Sequence, residues 1–383
     1  MRIWAASLLS LLFAACANAP VTPRSDTLFN DRLFTAPSER ISASDVFALS
    51  PEMQRYLDVE IAPQLRNKGN RDGLIDAIYR EGVLKIEYDS VMTRNAAQAF
   101  AARSGNCLSL VIMTGAFAKA LSLPVQFQSV SVDETVSRID DVYFFIGHVN
   151  LTLGNHHAVV GLRTSGADLL TVDFLPPIET QGLRTRAIAE ATIVAMYMNN
   201  KAAEAFARGR VNDAYWWARA AVEQDPTFVS AYNTLGVIYR RHGNPAEAER
   251  AFAYALEREP RNTRVMSNLV RALNDQGKVA EAETLGRRLE QMEPNPVFSY
   301  FDRGMKAMRE GNFQAARDLF AKEIDRAPYY HEFHFWLANA YLGLGKVDQA
   351  RRELTLAFEY STTRHDHDLY AAKLDRMRAS KLQ

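Results

Sequence analysis

At 383 residues the chain is long enough for two or three domains, and a 48% hydrophobic share supplies ordinary globular cores. Its 45 basic residues balance 45 acidic ones, so the formal net charge is zero. A protein that binds nucleic acid needs a basic stripe to displace counterions from phosphates, and this chain has no such run, so no nucleic-acid partner is expected.

The first sixteen residues differ in character from the rest. Arg2 supplies a positive start, Ile3 to Ala15 is an apolar run, and Ala14 and Ala15 lead into Cys16. The run is too short to span a bilayer as a mature helix and reads as a secretory signal. Its small-small-Cys ending resembles the bacterial lipoprotein cleavage site, although Phe13 stands where that pattern has Leu, Val or Ile. The resemblance implies a lipid on Cys16 and membrane attachment through it. With Ala17 rather than an aspartate next, it also implies an outer-membrane protein facing the periplasm. An ordinary signal cleaved near Ala17-Asn18-Ala19 remains the alternative. If Cys16 is lipidated, the only other cysteine, Cys107, stays a free thiol in an oxidising compartment.

Residues 17–43, with Pro20, Pro23 and Pro37 among polar residues, read as an extended tether. A globular pattern follows over 44–181. Ser50-Pro51-Glu52 carries a capping hydroxyl, a proline for the first turn and an early acid, which together start a helix. A short helix is expected from Asp72 to Arg80, and another from Thr93 carrying Ala96, Ala97, Phe100 and Ala101. The run from Cys107 to Ser122 is apolar almost all round and stops at Pro124, so it predicts a buried central helix. The period then shifts toward two. Residues 125–132, 142–153, 158–162 and 169–174 predict a small antiparallel sheet, making an α+β domain.

Cys107 follows Gly105-Asn106 and opens the central helix, where the positive end of the helix dipole favours a nucleophilic thiolate. A structural cysteine packed as a small hydrophobe is the competing explanation. Tyr88, Thr93, Gly105, Cys107, Leu121, Leu123 and Pro124 sit where the transglutaminase-like branch of the papain-like superfamily places its motif, and Ile86–Val130 resembles that family. The resemblance implies a histidine and then an aspartate on the following strands. Asp173, ending the apolar strand LLTVDF, fits the third position. His148 in IGHVNLTL fits the second, with alternation placing Asn150 and Thr152 on its face. His157, sixteen residues before Asp173, is the alternative base. His148 meets Asp173 if strands 148–153 and 169–174 pair antiparallel with those two residues opposite one another. In such a triad the thiolate attacks an acyl carbon while the carboxylate orients the imidazole. The Cys107 N–H and an upstream donor, for which Tyr88 is the candidate, would stabilise the oxyanion.

After a connector at 182–194, three residue types share one period. Pro226, Pro260, Pro294 and Pro328 are spaced by 34 residues, as are Gly209, Gly243, Gly277, Gly311 and Gly345, and Ala214, Ala248, Ala282, Ala316 and Ala350. With Tyr232, Leu235, Gly236, Tyr239, Ala248, Phe252, Ala255 and Pro260 in the best unit, residues 195–364 resemble five tetratricopeptide (TPR) repeats, and 365–383 a capping helix and tail. The resemblance implies an all-α solenoid whose inner helices offer Asn199, Asn233, Arg240, Arg264, Arg271, Phe298, Phe301 and Phe335 to a protein or peptide. No phosphate loop or dinucleotide glycine pattern is present, so no cofactor is expected. The cluster His365-Asp366-His367-Asp368 occupies neighbouring positions on a helix that do not converge on one ion, so no metal site is expected. The whole reads as an α+β transglutaminase-like (papain-like) domain followed by a TPR solenoid. The function expected is lipid-anchored thiol acyl transfer on a recruited protein or peptide, with a non-catalytic scaffold as the alternative.

Overall fold

Ser50 starts its helix as expected: its hydroxyl accepts from Met53 N–H, Pro51 fills the first turn, and α1 runs Pro51–Tyr56. In this computed structural model residues 25–80, 84, 86–89, 92–139, 142–154, 169–174, 184–296, 298–361 and 364–379 are described. Cys16, His157 and the strand expected at 158–162 lie outside the described residues. Further helices follow at Ala62–Lys68 (α2) and Asn70–Ile75 (α3), the latter continued by a wider turn to Arg80. The helix expected from Thr93 begins later, as α4 (Ala96–Ala102). Asn95 accepts from Gln98 N–H while the Gln98 side chain accepts from Asn95 N–H, and this reciprocal cap fixes the start.

The central helix α5 (Cys107–Ala120) buries every residue from Cys107 to Ala118, the consequence of a sequence with no polar face. Beside it lies a four-stranded sheet of β3 (Val125–Ile139), β4 (Val142–Gly154), β5 (Leu169–Val172) and β6 (Thr185–Ile188), in the order β5-β4-β3-β6 and antiparallel throughout. A short parallel pair, β1 (Glu87–Tyr88) with β2 (Ser104–Gly105), sits just before α5. Val149, Leu151 and Leu153 of β4 are at most 1% exposed and enter the same core as α5. Phe127, paired with Leu151, approaches Gly115 of α5 so closely that a Cβ there would lie 3.2 Å from the ring. Strand β6 corrects one expectation: within the stretch expected as a connector, Thr185–Ile188 joins the sheet and the next helix starts at Glu190.

Ten helices then pair as five hairpins: α6 (Glu190–Ala207) with α7 (Val211–Gln224), α8 (Val229–Arg241) with α9 (Pro245–Arg258), α10 (Thr263–Asp275) with α11 (Val279–Met292), α12 (Ser299–Arg309) with α13 (Phe313–Ile324), and α14 (His331–Gly343) with α15 (Val347–Glu359). A last helix, α16 (Arg364–Ala379), packs on α15. The periodic alanines are at most 2% exposed, which lets each pair of helices close. The periodic glycines hold φ between 70° and 84°, a left-handed conformation that a side chain resists. Gly243→Ala should therefore cost about 1 kcal/mol or more. Gly286, inside α11 with open space around its Cβ position, should gain up to about 1 kcal/mol from the same change. Urea midpoints moving in opposite directions would establish this, and equal shifts would refute it.

Residues 25–43 are not a free tether. Short 3-10 turns at Ser25–Leu28 and Asp31–Leu33 lie against the first two hairpins. The Tyr239 hydroxyl accepts from Asn30 N–H at 2.8 Å and donates to the Leu28 carbonyl at 3.0 Å. Asn212 accepts from Thr35 N–H, Trp216 donates to the Thr35 carbonyl, and Asp213 accepts from both Ser38 N–H and its hydroxyl. Phe34 stacks on Tyr215 with ring centroids 3.9 Å apart. Farther along, the Val46 carbonyl accepts from Ala96 N–H at the start of α4. The segment is thus docked along the array and runs directly into the α+β region. Pro37 lies outside any helix or strand, and the segment docks all the same.

Candidate functional site

Cys107 is the first residue of α5 and is 2% exposed. Asn106 supplies the cap, its Oδ1 accepting from Ser109 N–H at 2.9 Å and from the Ser109 hydroxyl at 2.8 Å. A helix start leaves its first N–H groups without an acceptor inside the helix, so the Cys107 N–H is available to a developing negative charge beside the sulfur.

His148 is brought to this thiol. Nε2 of His148 lies 2.6 Å from Asp173 Oδ1, and Cys107 is near enough to act on the same ring. Burial alone would pull the imidazole pKa down. The hydrogen bond to Asp173, the hydrogen bond to Cys107 and the charges of both outweigh it and raise the value to about 9. At neutral pH the ring is therefore an imidazolium, held against the Asp173 carboxylate.

The register differs from that expected. Leu151 pairs with Val172, so continuing the ladder by one residue puts Asp173 opposite Asn150 and makes His148 its diagonal neighbour. Asn150, 3% exposed, donates to Asp173 Oδ2 at 2.8 Å, so one carboxylate orients on two side chains. Asn150 was legible as a face-mate of His148, but nothing in its sequence context marked it as a partner of the carboxylate. Alongside lies a cleft of about 370 Å³ whose lining includes Gln128, Asn150, Thr152, Thr171 and Asp173. Tyr88, the candidate oxyanion donor, is 40% exposed on β1 and pairs with Gly105, two residues before the thiol.

The candidate peptide-binding residues divide. Asn233 accepts from Asn268 at 2.8 Å and Arg240 binds Asp275 at 2.6 Å, so both belong to a polar ladder linking α8 to α10. Asn199 is half-buried, and its Oδ1 has no hydrogen-bond partner among the described residues. Arg271 is exposed. Burial lowers the Arg264 guanidinium to about 10, against the opposing charge of Glu293. Phe298 and Phe301 are corrections. At 1% and 3% exposed they pack with Phe320 and Phe333 in the core of the fourth and fifth hairpins and do not face a groove. Phe335 stacks on Tyr370 of α16 beneath Lys373, so the capping helix covers it.

The helical array is one of tetratricopeptide repeats. Models of the tetratricopeptide repeat match residues 233–295 and 307–371. Similar solved structures include MamA, at 19% identity over 42% of this chain and 93% of that one, with a TM-score of 0.24. YrrB, described as a TPR protein with an unusual peptide-binding site, gives 22% over 47% and 92%, with a TM-score of 0.26. A thermophilic TPR protein of Thermus thermophilus gives 19% over 47% and 98%, with a TM-score of 0.30. Comparison with curated proteins gave no match. Both family matches lie within the repeats and their capping helix, and neither reaches the strands that carry His148 and Asp173.

Proposed function

We propose that the chain binds a protein or peptide through its TPR array and acts on it at Cys107 as a thiol acyl-transfer enzyme, of the cysteine peptidase, amidase or transglutaminase type. The observation that supports catalysis is the His148–Asp173 hydrogen bond on a ring whose pKa Cys107 also raises. In this reading the Cys107 thiolate attacks an acyl carbon and the carbonyl electron pair moves to oxygen, beside the Cys107 N–H and the candidate donor Tyr88. The C–N bond then breaks as the His148 imidazolium gives its proton to the leaving amine. Water, or a second amine, attacks the thioester, His148 takes its proton, and the thiolate leaves. Asp173 and Asn150 keep the ring aligned throughout. Iodoacetamide tests this on the intact chain. At pH 6, Cys107 should react at least about tenfold faster than free cysteine, because an ordinary thiol is almost wholly protonated there. Ordinary reactivity would sink the catalytic reading.

A second reading has the comparisons on its side. Family matches fall on the repeats alone, and Cys107 is 2% exposed, both as expected of a scaffold whose thiol only packs. A scaffold would capture the same peptides whether residue 107 is Cys or Ala. An enzyme would retain a substrate crosslink only in the Cys107→Ala form. Attachment through a lipid on Cys16, facing the periplasm, completes the proposal. It rests on the Arg2, Ile3–Ala15 and Cys16 pattern, and metabolic labelling with a fatty-acid probe should fail in Cys16→Ser. Among the described residues no helix is long and apolar enough to cross a membrane.

A further inference from the structure

A polar route, buried at Thr93 and Asn106 and half-buried at Asn200 and Glu204, joins the start of α5 to the first repeat helix, and the chemistry above makes no use of it. Thr93, 3% exposed, stands at its centre. Its N–H donates to Glu204 Oε1 at 2.5 Å, and its hydroxyl oxygen accepts from Asn200 Nδ2 and from Asn106 Nδ2, each at 3.1 Å. Glu204 is held on α6 by Lys201 at 3.2 Å and lies 3.8 Å from Arg208. Asn106 ends the route. Because its Oδ1 is committed to two Ser109 donors, its amide nitrogen must point at Thr93, and that fixes the side chain immediately before the thiol.

Docking of α6 does not require these bonds. Ile193, Val194, Tyr197 and Met198 of α6 already enter the shared apolar core. What the polar route adds is direction, since a capping side chain sets the angle at which a helix begins and so where its first residue points. Displacements well under a bond length at a reacting pair have large effects on rate.

We propose that Glu204 and Asn200 of the first repeat are positioning residues for Cys107, acting through Thr93 and Asn106 to aim the thiol at His148. The inference rests on the thiol reading above. It makes α6 a shared wall of the two functions, so that a partner bound to the array can alter reactivity at the thiol.

The test is the rate of Cys107 alkylation by iodoacetamide in the full chain, followed from about pH 5 to about pH 10. Glu204→Ala removes the acceptor for Thr93 N–H, whereas Glu204→Gln keeps one. Asn200→Ala removes only the donor to the Thr93 hydroxyl and leaves the Glu204 bond intact, so it decides the matter if Glu204→Ala melts without cooperativity. Glu204→Ala should slow alkylation at pH 6 by roughly tenfold and shift its pH profile toward that of free cysteine, with Asn200→Ala following in the same direction. Glu204→Gln should keep the profile of the unsubstituted chain. Unchanged profiles in both alanine variants, or equal losses in Gln and Ala at 204, would overturn the inference while leaving the thiol reading intact. An unsubstituted chain no faster than free cysteine would overturn both.

Discussion

Replacing His148 by alanine should slow alkylation of Cys107 at pH 6 by about a hundredfold and leave the rate near pH 10 little altered. The ring reaches a pKa of about 9 because its interactions with Asp173 and Cys107 overcome its burial, so it is charged below that pH and neutral above it. On the proposed reading this charged ring activates the thiol, so the alkylation rate should depend little on pH below about 9. Without it, an ordinary thiol is only about 0.3% ionised at pH 6, and the rate should climb with pH until thiolate predominates. The ionisation ratio alone would give about three-hundredfold, and the lower intrinsic nucleophilicity of a stabilised thiolate reduces this toward a hundred. Asp173→Asn should fall between, since the amide oxygen still accepts from Nε2–H but supplies no charge. A flat profile that survives in His148→Ala would show that the pair does not activate the thiol. A profile lost in His157→Ala but kept in His148→Ala would transfer the base to His157.

How far this site could be read in advance depended on what each residue needed from the chain around it. Cys107 and its cap are local. Gly-Asn-Cys before an apolar run is enough to predict a helix beginning at the thiol, and α5 begins there. The repeats are legible for a related reason, because each hairpin restates the same glycine, alanine and proline at one interval and context averages out. Strand register is different. It depends on which residues of β4 and β5 meet, and sliding β5 by two positions keeps every side chain on its face. Alternation therefore put His148 and Asn150 together but left open which of them Asp173 would oppose. The aromatic residues of the repeats failed for the converse reason. Phe301 belongs to a helix for which the sequence left two roles open, facing an expected groove or packing inward, and burial against Phe320 and Phe333 decided it. Glu204 lies more than one hundred residues from Thr93, and no pattern in either segment announces the other.

Phe34→Ala should destabilise the protein by about 3 kcal/mol or more, although sequence alone places Phe34 in a tether, where the same change would cost less than about 0.5 kcal/mol. The ring is 7% exposed, lies at 6° to Tyr215 and also approaches Tyr239 and His242. Deleting it opens a cavity between the strap and the first two hairpins and also removes the stack. Tyr215 is itself fixed by donating to Asp31 at 2.6 Å. Burial and that carboxylate push its hydroxyl pKa up, so it remains a donor. Phe34→Ala and Tyr215→Ala should therefore combine with a coupling of about 1 kcal/mol, whereas residues that merely share a surface would add independently. Urea melts of the two single variants and the double variant measure this directly. Strict additivity, or a loss from Phe34→Ala below about 0.5 kcal/mol, would return the segment to the status of a tether. The strap meets the repeats at Tyr239 and Asp213 and leads on to Val46, whose carbonyl accepts from Ala96 N–H at the head of the helix that follows Thr93. Its release should consequently loosen the contact between α6 and the start of α5, and alkylation of Cys107 in Phe34→Ala should slow even though Phe34 touches neither the thiol nor its partners.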